Sequence, residues 1–580
     1  MKYVDRRTQT PLCAVSTQST LENKTGSWRF ARPVFVDRVS PCNQQCPAGE
    51  DIAGILCLAG LGRYEEAWRM IMRENPFPAV MGRVCYHTCE RSCNRGKHDE
   101  SVSIHIVERF LGDLALDQGF RIETPPEPDG RTVAVVGAGP AGLSTAYFLR
   151  RLGHDVVVFD AGDLPGGLMR YGIPAYRLPV DVLEGEIQRL QNMGIRFEPG
   201  RILGRDLAWD SLRAEYNAVF LGIGAHGKPD LGVEGEDLEG VFRALDFLEA
   251  INKGNPPDVG KNVAIIGGGN SAIDCARVCR RLGAEVSVLY RRTEAEMPAH
   301  SEEVAAARDE GVSFQFLSAP GKILGEGRVN GIRLSRMRLG EPDDSGRRRP
   351  ESTGGTFDLD CTAVIPALGE SPDKGLLEET LKLERGGVAS DEFGRTNLPD
   401  VFVGGDLAPI SRTVTHAIGS GKRAAAAIDA YLREGDSFRI AAPFRWGDTG
   451  NISFGSMGDP APLTRRNPVP EIVEYEGLNS FYFDHRPALQ SKELRAEDRI
   501  CGFDEVVKGP SEKEALAEAL RCFNCGVCTS CGNCYIFCPD LSIRADPGGF
   551  GYTVDLDYCK GCGICVQECP RGAMTISFEE

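Results

Sequence analysis

Two runs near the end of the sequence hold its densest reactive chemistry: Cys528-x2-Cys531-x2-Cys534-x3-Cys538-Pro539 and Cys559-x2-Cys562-x2-Cys565-x3-Cys569-Pro570. Three cysteines at this spacing wrap one face of a cubane iron–sulfur cluster, and a fourth followed by proline reaches the neighbouring cluster. The pattern assigns Cys528, Cys531, Cys534 and Cys569 to one [4Fe–4S] cluster, and Cys559, Cys562, Cys565 and Cys538 to a second. A structural zinc needs only four ligands and leaves the doubled Cys-Pro ending unexplained. Cys522 and Cys525 continue the same spacing upstream, so the ligand register could slip; the Cys-Pro ends argue for the assignment given. Such clusters carry single electrons, and the rest of the chain is expected to supply or accept them.

A second set of reactive residues lies near the N-terminus. Cys42 and Cys46 flank a short turn, and Cys85, Cys89 and Cys93 follow at x3 spacing, which on a helix places them on one face. Five cysteines cannot complete two cubanes, so one cluster is expected here. Three clusters in all imply about twelve iron atoms per chain. Cys13 and Cys57 are expected to be structural, as are Cys275 and Cys279 in a later helix.

The third set binds nucleotides. The strand TVAVVG runs into Gly137-Ala138-Gly139-Pro140-Ala141-Gly142, then a helix, then the strand DVVVFD ending at Asp160. Gly137 makes the turn, Gly139 admits the pyrophosphate to the backbone, and Gly142 lets helix and strand pack closely. The helix N-terminus faces the phosphates, and Asp160 is placed to accept a hydrogen bond from ribose. The pattern recurs as NVAIIG, Gly267-Gly268-Gly269-Asn270-Ser271-Ala272, a helix, and a strand that ends in Arg291-Arg292 instead of an acid. Arginines there suit a 2′-phosphate, so the second site is expected to take NADP(H). After it, a strand, the turn Gly405-Asp406 and a helix read as the returning half of the first unit, with the carboxylate against a flavin's ribityl chain.

These elements set the architecture. The expectation is a multidomain α/β chain: an N-terminal helical iron–sulfur domain (1–125), a Rossmann-like FAD domain (126–230 and 366–440) with an NADP(H) domain inserted in it (231–365), a linker (441–510), and a C-terminal α+β ferredoxin-like domain (511–580). Residues 1–40 read as irregular. EIVEYEGLNSFYFDHRP reads as a strand lying on the flavin domain, and SEKEALAEALRC as a short helix with a Ser511/Glu514 capping box. The chain is long for a single core. Its net charge of −17 argues against nucleic acid or anionic membrane as partner. The N-terminal residues show no secretory apolar core. The uncharged stretch 132–149 is a phosphate loop before it is a membrane span. A cytoplasmic protein of anaerobic metabolism is expected.

At Gly166-Gly167-Leu168-Met169-Arg170-Tyr171-Gly172-Ile173-Pro174, Tyr290-Arg291-Arg292, Gly405-Asp406 and the Cys-x3-Cys-x3-Cys run, the chain resembles the small subunit of bacterial glutamate synthase and its relatives. These include the large subunit of NADH-dependent ferredoxin:NADP oxidoreductase and the N-terminal half of dihydropyrimidine dehydrogenase. The resemblance covers about residues 40–435. It implies that Gly167, Leu168 and Arg177 lie along FAD, with Asp406, Thr413 and Val414 at its second half. It implies Asn270, Ser271, Arg291, Arg292 and Gly369 at the NADP(H) site. It also implies an N-terminal cluster held by three cysteines and a non-cysteine ligand: Cys46, Cys85, Cys89 and Glu108. Relatives carry two further cysteines upstream of Cys42 that this chain lacks, so Cys42 and Cys93 are open to joining that one cluster.

The expected function is electron transfer between NADP(H) and ferredoxin or a partner iron–sulfur enzyme, through FAD and the clusters. Catalysis is expected to be positioning, with no side-chain acid or base. The chain is expected to work in a hetero-oligomeric complex such as a 2-oxoacid:acceptor oxidoreductase. A wiring subunit without turnover of its own, a glutamate synthase small subunit and a thioredoxin-reductase-like enzyme are the alternatives. The last is weakened because no redox Cys-x-x-Cys lies between the flavin and nicotinamide units.

Overall fold

The computed structural model describes residues 22, 24–435, 445–454 and 469–579, apart from 124, 228, 343–345, 378, 385–386, 448 and 547–550. Cys13 and much of the expected linker's first part lie outside these residues.

The centre is a five-stranded parallel sheet of β2 (Thr132–Val136), β3 (Asp155–Phe159), β4 (Arg196–Glu198), β5 (Ala218–Leu221) and β13 (Val401–Val403), in the order β13-β5-β2-β3-β4. Its middle strand is apolar from Val133 to Val136 because both faces are covered. Val133 and Val135 join one core, Ala134 and Val136 the other. On the first face the helix Pro140–Arg151 packs against the long helix Val414–Glu434. Thr145 Oγ bridges them, donating to the carbonyls of Ala141 and Gly421.

Strand β13 pairs in parallel with β5, Val401 opposite Val219. Between them a second unit is inserted into the first, whereas Leu381 and Val388, just ahead of β13, already pack in the core of the first. Its parallel sheet runs β12-β6-β7-β8, from β6 (Asn262–Ile266), β7 (Glu285–Tyr290), β8 (Ser313–Phe316) and β12 (Ala363–Pro366). An antiparallel sheet of β9 (Ser318–Glu326), β10 (Arg328–Pro342) and β11 (Arg348–Leu359) packs on it, joining Ile323, Ile332 and Leu334 to Ala264 and Leu289.

The N-terminal domain is helical, with helices at Pro41–Gln45, Ile52–Gly60, Tyr64–Met72, Pro78–Val84 and Ile104–Gln118. In the C-terminal module β14 (Ile543–Ala545) pairs with β15 (Tyr552–Val554). Its remaining strand, β16 (Met574–Phe578), pairs antiparallel with β1 (Ala31–Phe35), Pro33 opposite Ile576. The segment expected to be irregular thus supplies an edge strand to the opposite end of the chain. Gly26 extends the contact, its amide donating to the Asp557 carbonyl at 2.8 Å.

The stretch 471–487 is not a strand on the flavin domain. After an isolated bridge of Ile472 to Val39 it forms two tight turns, Tyr475–Gly477 and Ser480–Tyr482. Its apolar residues close around Phe523, whose ring lies 4.2 Å from that of Phe483. Alternating apolar residues have a second solution here, a small core with Phe523 and Cys525 of the C-terminal module. The helix Glu512–Ala519 begins at the expected capping box of Ser511 and Glu514.

Candidate functional site

The first dinucleotide loop has the geometry its glycines require. Gly137 has φ +108°, and a Cβ there would lie 2.3 Å from the Gly222 carbonyl oxygen. A Cβ on Gly142 would lie 1.8 Å from the oxygen of Gly137, so helix and loop can touch only at glycine. Gly139 differs: its Cβ direction is open, with only the Gly167 Cα as near as 4.0 Å. That open side lies at the start of the helix that begins with Pro140 and Ala141, leaving its first amides approachable.

Asp160 stands just past β3 and is braced by two loop amides, accepting from Ala138 N at 2.5 Å and Gly162 N at 2.7 Å. Burial pushes its carboxyl up, and the two amides and His226 pull it back. Asp406 also feels burial first, then Arg412 and His226. His226 thus acts on both carboxylates, which come from opposite halves of the unit. Gly167 (φ +53°) approaches Gly139, and Leu168 opens a short helix behind it. Gly405 adopts φ +64° and donates its amide to Ser420 Oγ at 2.9 Å, fixing the Asp406 turn on the long helix. Thr413 caps that helix, accepting from His416 N at 3.2 Å, and Val414 is its first residue.

In the second unit a Cβ on Gly267 would strike the Ala367 carbonyl at 2.3 Å, whereas Gly269 and Gly369 face open space. Asn270 and Ser271 begin the helix Asn270–Arg281, and Asn270 Oδ1 accepts from His300 N at 3.0 Å. Arg291 is exposed at the end of β7. Arg292 is buried, and its Nε donates to the Arg348 carbonyl at 2.7 Å. Cys275 and Cys279 are fully buried core residues, as expected.

Arg177 joins the two dinucleotide units. Its guanidinium is buried against Asp274, at 2.8 and 2.9 Å, and Glu303, at 3.3 Å, both in the inserted unit. Its neighbour Tyr176 lies under the guanidinium of Arg281, 3.8 Å from the ring centre. The pair clasps one dinucleotide unit to the other.

The cysteines gather into distinct sets. One cavity in the C-terminal module is lined by Cys528, Cys531, Cys534 and Cys569, another by Cys538, Cys559, Cys562 and Cys565. Each combines three cysteines of one run with one of the other, the exchange the Cys-Pro spacing implied. In the N-terminal domain Cys46, Cys85 and Cys89 form a third set with Glu50 and Glu108 beside it. Asn75 Nδ2 donates to Glu50 at 2.8 Å and to Glu108 at 3.1 Å. Burial, then Glu50, pushes Glu108 well up, and burial, then Glu108, pushes the Cys85 thiol up to about 12. A site that crowds thiols and carboxylates into a dry volume is suited to a multivalent cationic centre, which is what makes their ionised forms favourable there. Thr415 Oγ donates to Cys85 Sγ at 3.4 Å, joining this set to the long helix Val414–Glu434. Cys42 and Cys93 lie beside Cys522 and Cys525, and Cys42 also shares the buried cluster of Cys46 and Cys89.

Among the described residues, the groups of three or more ligand atoms within 4.8 Å of one another are His87/Glu90/His105 and His98/Asp99/His485. None of the cysteine sets is that compact. Sulfurs around one tetrahedral zinc would be about 3.8 Å apart, given Zn–S bonds of about 2.3 Å. The wider sets fit a cluster better than a single ion.

Thr415 and the Cys522/Cys525 pair were not assigned from sequence. The only local signal for the pair was an x2 spacing ahead of two runs already complete with four cysteines each.

Two glycine loops on parallel sheets, one unit inserted in the other, with cysteine sets at both ends, define an iron–sulfur flavoprotein oxidoreductase. Residues 131–421 match the pyridine nucleotide-disulphide oxidoreductase model, 35–120 that of dihydropyrimidine dehydrogenase domain II, 4Fe-4S cluster, and 552–575 that of the 4Fe-4S binding domain. The chain belongs to the pyridine nucleotide-disulphide oxidoreductase family. It is 41% identical over 516 residues to the NADP(+)-dependent formate dehydrogenase subunit beta of Moorella thermoacetica, covering 84% of this chain and 70% of that one. It is 34% identical over 530 residues to the NADPH-Fe(3+) oxidoreductase subunit beta of Geobacter sulfurreducens, covering 85% and 76%. With the glutamate synthase [NADPH] small chain of Escherichia coli it shares 38% over 416 residues, covering 67% and 88%. It is an NADP(H)-linked electron-transfer oxidoreductase that uses FAD and [4Fe–4S] clusters. No helix among the described residues is long and apolar enough to cross a membrane.

Proposed function

We propose that the chain is the NADP(H)-handling subunit of a cytoplasmic hetero-oligomeric redox complex, exchanging electrons with ferredoxin or with the cluster of a partner iron–sulfur oxidoreductase. The observation that carries this is the outer face of the C-terminal module. Cys531 and Cys562 are exposed there, amid the exposed side chains of Tyr535, Ile536 (69%), Phe537, Leu541 (69%) and Ile564. Apolar residues grouped around solvent-reachable cluster ligands suit a protein partner whose own cluster must come close. The subunit names of the relatives support a complex, and a 2-oxoacid:acceptor oxidoreductase is one partner of the required class.

When bound, FAD links the two-electron chemistry of nicotinamide to the single-electron chemistry of the clusters. The chain's own residues position the parts. Asp160 and Asp406 fix the two halves of the flavin space, and the Tyr176–Arg177 clasp sets the nicotinamide unit against it. Thr415 joins that space to the inner cysteine set, and the C-terminal module offers the exit.

Anaerobically reconstituted isolated chain is expected to turn over NADPH with benzyl viologen and to reduce ferredoxin. Ile536→Lys with Phe537→Ser is expected to abolish ferredoxin reduction while flavin bleaching by NADPH is unchanged. No NADPH-dependent bleaching would overturn the reading and leave a wiring subunit. Undiminished ferredoxin reduction by the double variant would show that the exit lies elsewhere.

A further inference from the structure

We propose that Cys42, Cys93, Cys522 and Cys525 hold an additional [4Fe–4S] cluster at the seam between the two ends of the chain. Each pair comes from a different terminus, and neither pair is sufficient alone.

The backbone brings them together at several points. Ser40, two residues before Cys42, donates its hydroxyl to the Cys525 carbonyl at 2.6 Å. Asn94, the residue after Cys93, donates its side-chain amide to Cys525 Sγ at 3.6 Å. The segment 38–40 is clamped from the other side, the Arg38 amide donating to the Gly526 carbonyl at 3.0 Å. Asn524 takes a left-handed conformation (φ +49°) between the two C-terminal cysteines. Its amide lies 3.3 Å from Cys522 Sγ, and its side chain donates to the Ala53 carbonyl at 2.8 Å. Amides and side-chain donors aimed at sulfur are what a thiolate bound to a cluster uses.

The chemistry of the donor set agrees. Cys42 and Cys525 are both 8% exposed, and none of the four is disulfide-bonded. Cys42 lies in a buried cluster against which Cys93 and Cys522 also pack, and the Ser40 and Asn94 contacts bring Cys525 to the same neighbourhood. No three of their sulfurs lie within 4.8 Å, which disfavours a single zinc. Cys522 and Cys525 are not needed by the C-terminal module, whose two cavities already have four cysteines each. Assembly would release the four thiol protons as the thiolates take up the cluster.

Arg571 gives this site a route onward. It follows Cys569-Pro570 directly and donates to the Phe523 carbonyl and to Asn524 Oδ1 at 3.1 Å. One side chain thus spans from the loop of the proposed cluster to a ligand of the first C-terminal cluster.

The test is iron, acid-labile sulfide and flavin analysis of the full chain after anaerobic reconstitution, with electron paramagnetic resonance of the reduced protein. About sixteen iron atoms are expected, four per cubane. Cys522→Ser/Cys525→Ser and Cys42→Ser/Cys93→Ser should each lose about four iron atoms. The quadruple variant should lose no more than either. Cys501→Ser should lose none. About twelve iron atoms in the unaltered chain, or a Cys522/Cys525 variant with full iron, would overturn the proposal. If the double variants also lose flavin, the single Cys522→Ser chain decides. A changed signal from one cluster, with the other three intact, supports the site, and an unchanged spectrum overturns it.

Discussion

The hydroxyl of Thr415 reaches the sulfur of Cys85 at 3.4 Å from the second residue of the helix capped by Thr413. The helix that packs on the first glycine-loop helix therefore also touches the inner cysteine set. Thr415→Val should lower that cluster's midpoint potential, because a donor to sulfur favours the reduced, more negative state. A hydrogen bond worth about 1 kcal/mol corresponds to about 40 mV for a one-electron couple. A redox titration followed by electron paramagnetic resonance checks this. Thr415→Ser should restore the potential.

Lys422 is fully buried and pairs with Glu74 at 2.6 Å, and Glu74 also accepts from Ser453 Oγ at 2.6 Å and Phe454 N at 3.0 Å. The pair ties the long helix to the N-terminal domain and to residues 445–454. Lys422→Met should destabilise by about 3–5 kcal/mol, because it strands a buried carboxylate. Adding Glu74→Gln should recover part of the loss. Anaerobic thermal unfolding, read by flavin fluorescence, measures both.

Nucleotide choice should divide unequally between two neighbouring arginines. Arg291 is exposed, while Arg292 is buried and engaged by Arg348. Arg291→Ala should cut kcat/KM for NADPH about ten- to hundredfold, matching the loss of about 1.5–3 kcal/mol for a charged hydrogen bond. NADH turnover should hardly change. Arg292→Ala should lower stability as well as NADPH use. Steady-state kinetics with both nucleotides, beside a melting curve, separates the two effects.

Glu186 makes stability depend on pH. It is wholly buried in the helix Val180–Gln191, accepting from Ala79 N at 3.2 Å, and burial pushes its carboxyl from 4.5 up to about 8. Below the lower value both folded and unfolded chains hold the proton, and the contribution is fully present. As pH rises toward the upper value the unfolded chain ionises first, so stability falls, by on the order of 1 kcal/mol per pKa unit of difference. Glu186→Gln should flatten this slope and make the variant the more stable chain at alkaline pH. Anaerobic urea unfolding at about pH 6 and about pH 8 is the measurement.

The legible parts of this molecule are those whose chemistry is local. The turns at Gly137 and Gly267, the exchange between the two Cys-Pro runs and the Ser511 capping box depend on residues a few positions apart, and their spacing announces them. The seam could not be read that way. Nothing near Cys42 signals Cys525, and nothing in ARPVF signals its pairing with Met574–Phe578, because both contacts join opposite ends of the chain. The partners of Arg177 were hidden for a related reason: Asp274 and Glu303 come from the inserted unit, far along the chain. Segment 471–487 had the right apolar rhythm for a strand; the ring of Phe523 turned it into a small core instead.

The pairing of β1 with β16 also orders events in the cell. The edge of β1 leaves the ribosome long before its partner β16 and waits for it unsatisfied. Contacts so distant along the chain form late and leave hydrogen-bonding edges exposed meanwhile. Completion of the C-terminal module would then latch the two segments together.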